Sequence, residues 1–190
     1  MAFLNKPRGL LLASLCAVAG PARAEEPLPP LESRVKAAFL FHFAQLTTWP
    51  AGTFPTNDTP ITIGVVADDP VAQALTQAVE TQYIGQRPVV VTQPANAAEW
   101  QRCQVLFVSQ AAASQWPEIL AAVPDRPILT VNDADGSASR AGMINLFVEA
   151  GKLRFDINLT LAQRSGLTIS SRLLRLARPV VTPAPAKERN

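Results

Sequence analysis

Apolar positions along this chain come in two rhythms. The runs ITIGVVA (61–67), RPVVVTQ (87–93), CQVLFVS (103–109) and PILTV (127–131) are short, rich in β-branched residues and nearly unbroken. Between them, DPVAQALTQAVE (69–80) and the stretch over 111–122 read as helices, the first with an aspartate near its start to cap it. An unbroken apolar strand is one buried on both faces. Such strands, separated by helices, predict a parallel sheet covered on both sides.

The segment MINLFVEAGKLRFDIN (143–158) changes to strict alternation. Ile144, Leu146 and Val148 fall on one face of a strand, and Leu153, Phe155 and Ile157 on one face of the next. Ala150-Gly151 lies at the join, which predicts a hairpin. The other face of its second strand carries Lys152, Arg154, Asp156 and Asn158. Upstream, ESRVKAAFLFHFAQLT (32–47) reads as a helix. Val35, Phe39, Phe43 and Leu46 mark one face and Leu40 and Phe41 widen it, so most of its surface is expected to be buried. Trp49-Pro50 ends it, because the residue before proline is pushed out of helical geometry.

Downstream, LTLAQRSG (159–166) reads as a short helix closed by Gly166. SSRLLRLA (170–177) reads as another, capped by Ser170 or Ser171, with Leu173, Leu174 and Leu176 turned inward. The pattern as a whole predicts an α/β fold. It is a three-layer sandwich, with a mostly parallel sheet flanked by helices and an antiparallel hairpin near the C-terminus.

The first 24 residues stand apart. Lys6 and Arg8 precede an apolar run from Gly9 to Gly20, and Ala22-Arg23-Ala24 follows, which is the pattern of a secretory signal peptide. The run falls short of the roughly 20 apolar residues that span a membrane. Cys16 follows Leu15, where a lipid-attachment signal prefers a small residue. Cleavage after Ala24, a soluble exported chain and no later membrane span are expected. The chain then divides into a signal peptide (1–24), an extended leader (25–31), one α/β domain (32–180) and a Pro-rich disordered tail (181–190).

Export changes the charge. Of 17 basic residues, Lys6, Arg8 and Arg23 leave with the signal, so 14 face 15 acidic ones and the net charge is about −1. That removes the electrostatic case for binding nucleic acid. Cys103 becomes the one remaining cysteine, so no internal disulfide can form, and its apolar surroundings predict a buried thiol.

Ligands of open α/β sheets collect beyond the carboxyl ends of the strands. Here those ends carry Asp68, Ser109, Asn132 and Asp133, beside the small-residue loop NDADGSASRAG (132–142). They suggest a small-molecule-binding module reporting to a sensor kinase or an outer-membrane receptor. Asp68 has a plainer use as a helix cap. Ser109 has no elbow motif around it, and the single histidine, His42, has no second His or Cys to support a metal. There is no phosphate loop, dinucleotide fingerprint or metal-ligand spacing, so neither catalysis nor a cofactor is expected.

The basic stretch carries more. Residues 152–178 hold Lys152, Arg154, Arg164, Arg172, Arg175 and Arg178 against Asp156 alone. Arg172, Arg175 and Arg178 are spaced to lie along one side of the last helix. They are either a solvated face or an Arg-lined surface for a carboxylate, a phosphate or an acidic protein patch.

VKAAFLFHFAQLTTWP (35–50), CQVLFVS (103–109) and above all GMINLFVEAGKLRFDINLTLAQRSGLTISSRLLRLARPV (142–180) resemble the YfiR family of exported bacterial regulators. The resemblance implies a periplasmic α/β protein, often a homodimer, without catalytic activity. It implies binding to the periplasmic sensor domain of an inner-membrane diguanylate cyclase, which is held inactive. Release by an outer-membrane lipoprotein or by stress then raises cyclic di-GMP and favours biofilm growth. It also makes Glu149, Lys152, Arg154, Arg172 and Arg175 candidates for the regulatory surface. The family's internal disulfides are not implied here, since Cys103 stands alone after cleavage.

Overall fold

The computed structural model describes residues 29–124, 126–134 and 141–178. The expected signal peptide, all but the end of the leader and the expected tail lie outside the described residues. The chain enters on α1 (Leu31–Gln45), then passes through β1 (Thr47–Thr48) to β2 (Ile61–Val66), α2 (Asp69–Val79), β3 (Tyr83–Ile84) and β4 (Arg87–Thr92). It continues through α3 (Ala97–Trp100), β5 (Val105–Val108), a 3-10 turn (Gln110–Gln115), α4 (Trp116–Ala122) and β6 (Leu129–Asn132). The C-terminal part is β7 (Ile144–Glu149), β8 (Lys152–Ile157), α5 (Leu159–Arg164), β9 (Thr168–Ile169) and α6 (Ser171–Leu176).

Seven strands form one sheet in the order β3-β4-β2-β5-β6-β7-β8. Pairing from β4 through β7 is parallel, and the two outermost pairs are antiparallel. The middle strands are those with unbroken apolar runs, and every residue of β5 and β6 is buried. Alternate residues of these strands feed two cores. On one face Ile63, Val65, Val105, Phe107, Leu129 and Val131 pack under α1 and α2. On the other, Leu106 and Val108 meet Trp100, Trp116 and Ile119 of α3 and α4. The expected three-layer arrangement is therefore present.

Alpha 1 is bound to the far end of the sheet by aromatic rings. Phe155 of β8 lies 5.0 Å from Phe43 and 5.7 Å from Phe39, both edge-on. Such contacts add about 0.5–1.5 kcal/mol each beyond the buried area. The helix stops at Gln45, ahead of Trp49-Pro50, and Thr47-Thr48 pairs antiparallel with Thr168-Ile169.

Several short elements were not foreseen. Strands β1 and β9 span two residues each, too few for any periodicity to appear. Strand β3 joins β4 through Gly85, whose φ of 64° opens a tight turn. Helix α3 begins at a capping box that was legible in principle. Asn96 accepts from the Glu99 N–H, and Glu99 reaches back to the Ala95 N–H at 2.8 Å. The expected helix over 111–122 is a 3-10 turn followed by α4, with Pro117 in the first turn of α4.

Two readings of the last helix need correction. It ends at Leu176, and Arg178 is extended: its N–H bonds to the Phe155 carbonyl at 2.9 Å, beside β8. Pro179 follows and disfavours helical geometry at Arg178. Leu176, expected inside, is 68% exposed, because the side that meets the core carries Leu173, Leu174 and Ala177 and Leu176 falls off it. Of the two serines, Ser170 is the cap, its Oγ accepting from the Arg172 N–H.

Candidate functional site

The β7–β8 hairpin stands at one end of the sheet and is offset along it. β7 pairs with β6 only at Val131↔Ile144 and Asn132↔Asn145, so its remaining four residues run on past the carboxyl end of the parallel strands. At about 3.4 Å per residue, that is a rise of about 14 Å. The turn has two residues, Ala150 (φ 50°) and Gly151 (φ 71°), with Glu149 opposite Lys152. Positive φ at both turn residues matches the twist of the strands.

One hairpin face joins the α1 core through Ile144, Leu146, Phe155 and Ile157. Val148, on the same side but near the tip, is 63% exposed. The opposite face carries Phe147 and Glu149 on β7, with Lys152, Arg154 and Asp156 on β8. Arg178 lies across this face. Its guanidinium sits 4.1 Å from the centre of the Phe147 ring, 3.1 Å from Asp156 Oδ2 and 3.6 Å from Glu149 Oε1. The cation covers the aromatic ring and partners both carboxylates of the face. Lys152 and Arg154 make no ion pair among the described residues and are exposed.

The five residues expected at the regulatory surface thus fall into two groups. Glu149, Lys152 and Arg154 share the hairpin face. Arg172 and Arg175 are exposed on α6, whose Leu173 packs in the core on the other side of the sheet. Arg178, expected as a third arginine of the helical row, is instead the side chain organising the hairpin face. The proline after it was the available signal.

The residues at the carboxyl ends of the strands are tied into the protein. Asp68 Oδ1 accepts from the Val71 N–H and caps α2. Ser109 Oγ donates to the Ala67 carbonyl at 2.9 Å. Asn132 Oδ1 accepts from the Ala134 N–H. Asp133 accepts twice, from the Gln110 N–H at 2.7 Å and from Lys36 Nζ at 2.6 Å. Lys36 also reaches Glu32 at 2.8 Å. Burial pulls the Lys36 ammonium down, but its hydrogen bonds and charge pairing with Asp133 and Glu32 outweigh this and hold it above its usual 10.5. Among the described residues, two polar atoms here have no partner: Asn132 Nδ2 and, on the neighbouring strand, Asn145 Oδ1. Residues 135–140 of the adjoining loop lie outside the described residues.

Cys103 is buried, as expected, with its sulfur against Gly64, where an added Cβ would lie 2.7 Å away. Burial pushes this thiol up to about 11. His42 is exposed, with its ring nitrogen 3.0 Å from Gln45 Oε1. Among the described residues, no helix is long and apolar enough to cross a membrane.

A sequence model of proteins described as YfiR/HmsC-like matches residues 33–178 of this chain. No curated protein matches it.

Proposed function

Because the chain belongs to the YfiR/HmsC-like family, we propose that it is a periplasmic, non-enzymatic regulator that represses an inner-membrane diguanylate cyclase. It binds the cyclase's periplasmic sensor domain, lowers cyclic di-GMP and restrains biofilm growth, and an outer-membrane lipoprotein relieves it. Repression requires that it bind the inactive state of its partner more tightly than the active one.

The observation that carries the choice of surface is the hairpin face. A half-buried phenylalanine lies under an arginine there, beside two exposed cations that make no ion pair among the described residues, on a strand pair that projects from the sheet. Aromatic and arginine side chains dominate binding energy at protein interfaces. Glu149, Lys152 and Arg154 form the centre of this proposed surface, and Arg172 and Arg175 on α6 form a second, separate contact surface. Cyclic di-GMP measured in cells lacking the gene tests both statements. Deletion should raise it and the wild-type gene should restore it. Folded Lys152→Glu/Arg154→Glu and Arg172→Glu/Arg175→Glu variants should fail to restore it. An unchanged level after deletion, across growth conditions, would overturn repression.

A second reading, a small-molecule module with Asp68, Ser109, Asn132 and Asp133 at its site, has one observation in its favour. Asn132 Nδ2 and Asn145 Oδ1, which have no hydrogen-bond partner among the described residues, belong to paired residues at the sheet's carboxyl edge. A polar ligand that raises the melting temperature of wild type and not of Asn145→Leu would support it.

A further inference from the structure

Helix α1 is apolar on the side turned away from the core as well as on the side turned toward it. Ala37, Leu40, Phe43 and Ala44 face inward and are buried. On the outer side, Leu31 is 72% exposed and Ala38 is exposed, with Val35 half-buried between them. Ala74 and Ala78 of α2 complete the floor of a groove of about 550 Å³. A helix apolar on two sides is ordinarily covered on both.

We propose that this groove docks an amphipathic helix of another protein that carries acidic residues about two turns apart. The groove runs from Leu31 to His42, about 16 Å at 1.5 Å per residue, which matches three turns of a helix. Its apolar lining alternates Leu31, Val35 and Phe39 with Ala38, Ala74 and Ala78, so the larger side chains of a second helix can seat over the alanines.

Charge selects the occupant. The polar rim is Arg34, Gln77 and His42, and among the described residues no carboxylate lines the groove. Arg34 makes no ion pair among the described residues, and the nearby Glu32 is held by Lys36. A second copy of this chain fits less well. Antiparallel packing about Ala38 would set each Arg34 against the other copy's His42, and neither would gain an acid. This docking goes beyond the proposed repression, and its test needs no cyclase, so the two stand or fall separately.

The probes are two labelled synthetic helices with the same Leu/Ala stripe, one with Glu and one with Lys at two polar positions two turns apart. Binding is read by fluorescence anisotropy against the exported domain. The Glu helix should bind roughly tenfold tighter than the Lys helix. Arg34→Glu should reverse that order, and Ala38→Trp should abolish binding of both while leaving the melting curve unchanged. Equal affinity for the two helices, or binding indifferent to Ala38→Trp, would overturn the proposal. So would a wild-type dimer that Ala38→Trp converts to monomer in sedimentation, since the occupant would then be a second copy.

Discussion

Changing Asp133 to Asn separates a structural role for this carboxylate from a ligand-binding one. Asp133 holds the Gln110 N–H at 2.7 Å with one oxygen and Lys36 Nζ at 2.6 Å with the other. An amide of the same shape can accept only one of these donors and turns an N–H₂ group toward the second. The pair is well covered, with the side chains of Lys36 and Asp133 13% and 10% exposed. Breaking a buried pair by removing one partner costs about 3–5 kcal/mol. Lys36 keeps Glu32, which is 65% exposed, so part of the loss is recovered at the surface. The expected destabilisation is about 2–3 kcal/mol, or a fall of about 5–10 °C in Tm for a domain of this size.

Urea denaturation of the wild type, Asp133→Asn, Lys36→Met and the double variant gives the coupling directly. About 1–2 kcal/mol is expected for residues in direct contact. Alkaline pH supplies an independent arm. The native Lys36 ammonium is held above 10.5, so its contribution is complete below that value and fades as pH rises through the higher native value. Asp133→Asn should flatten this alkaline limb. A variant within about 0.5 kcal/mol of wild type would refute the reasoning. An Asp133 kept for a ligand is often removed at no cost, or with a gain in stability.

Ala150 sits at φ 50°, a region that costs an alanine about 1 kcal/mol and an asparagine less. Ala150→Asn should therefore raise stability by about 0.5–1 kcal/mol in calorimetry, and a lower Tm would contradict the assigned turn. Gly64→Ala places a Cβ 2.7 Å from Cys103 Sγ and 2.9 Å from Pro94 Cγ. It should cost about 1–3 kcal/mol in urea melts, and a neutral result would mean that this layer is looser than described. The Cys103 thiol, pushed up to about 11 and buried, should react with a disulfide reagent at pH 8 only on unfolding. Prompt labelling of the native protein would show otherwise. Arg178→Ala should lower stability by about 1 kcal/mol through its ring and carboxylate contacts, and should weaken repression by exposing Phe147 and leaving Glu149 and Asp156 without their cation.

The parts of the fold legible in the sequence are those where burial dictates residue type over several positions. Val105–Val108 and Leu129–Asn132 are buried throughout and read as central strands. Ile144–Ile157 keep one face in the core and read as a hairpin. Gly166 closes α5 with the Leu167 N–H bonded to the Ala162 carbonyl, so its positive φ was readable as a stop. Tertiary pairing left no such trace. Thr47-Thr48 and Thr168-Ile169 are too short to show a period, and the ring contact of Arg178 depends on where the chain passes after α6. The charge of Lys152, Arg154, Arg172 and Arg175 was readable, but their division between two surfaces was not. Asp68 and Asp133 were plain as acidic strand ends, while their partners lie on other elements or behind local capping geometry.

The offset between β6 and β7 has a consequence for how such a protein can change over generations. Because four residues of β7 rise beyond the parallel strands, Phe147, Glu149, Lys152 and Arg154 contribute little to the two cores. Substitutions there meet solvent or one another, and their stability cost is small next to that of a core change. The projecting hairpin can therefore accumulate new side chains, and with them new binding preferences, while the layered scaffold beneath is held fixed by its own packing.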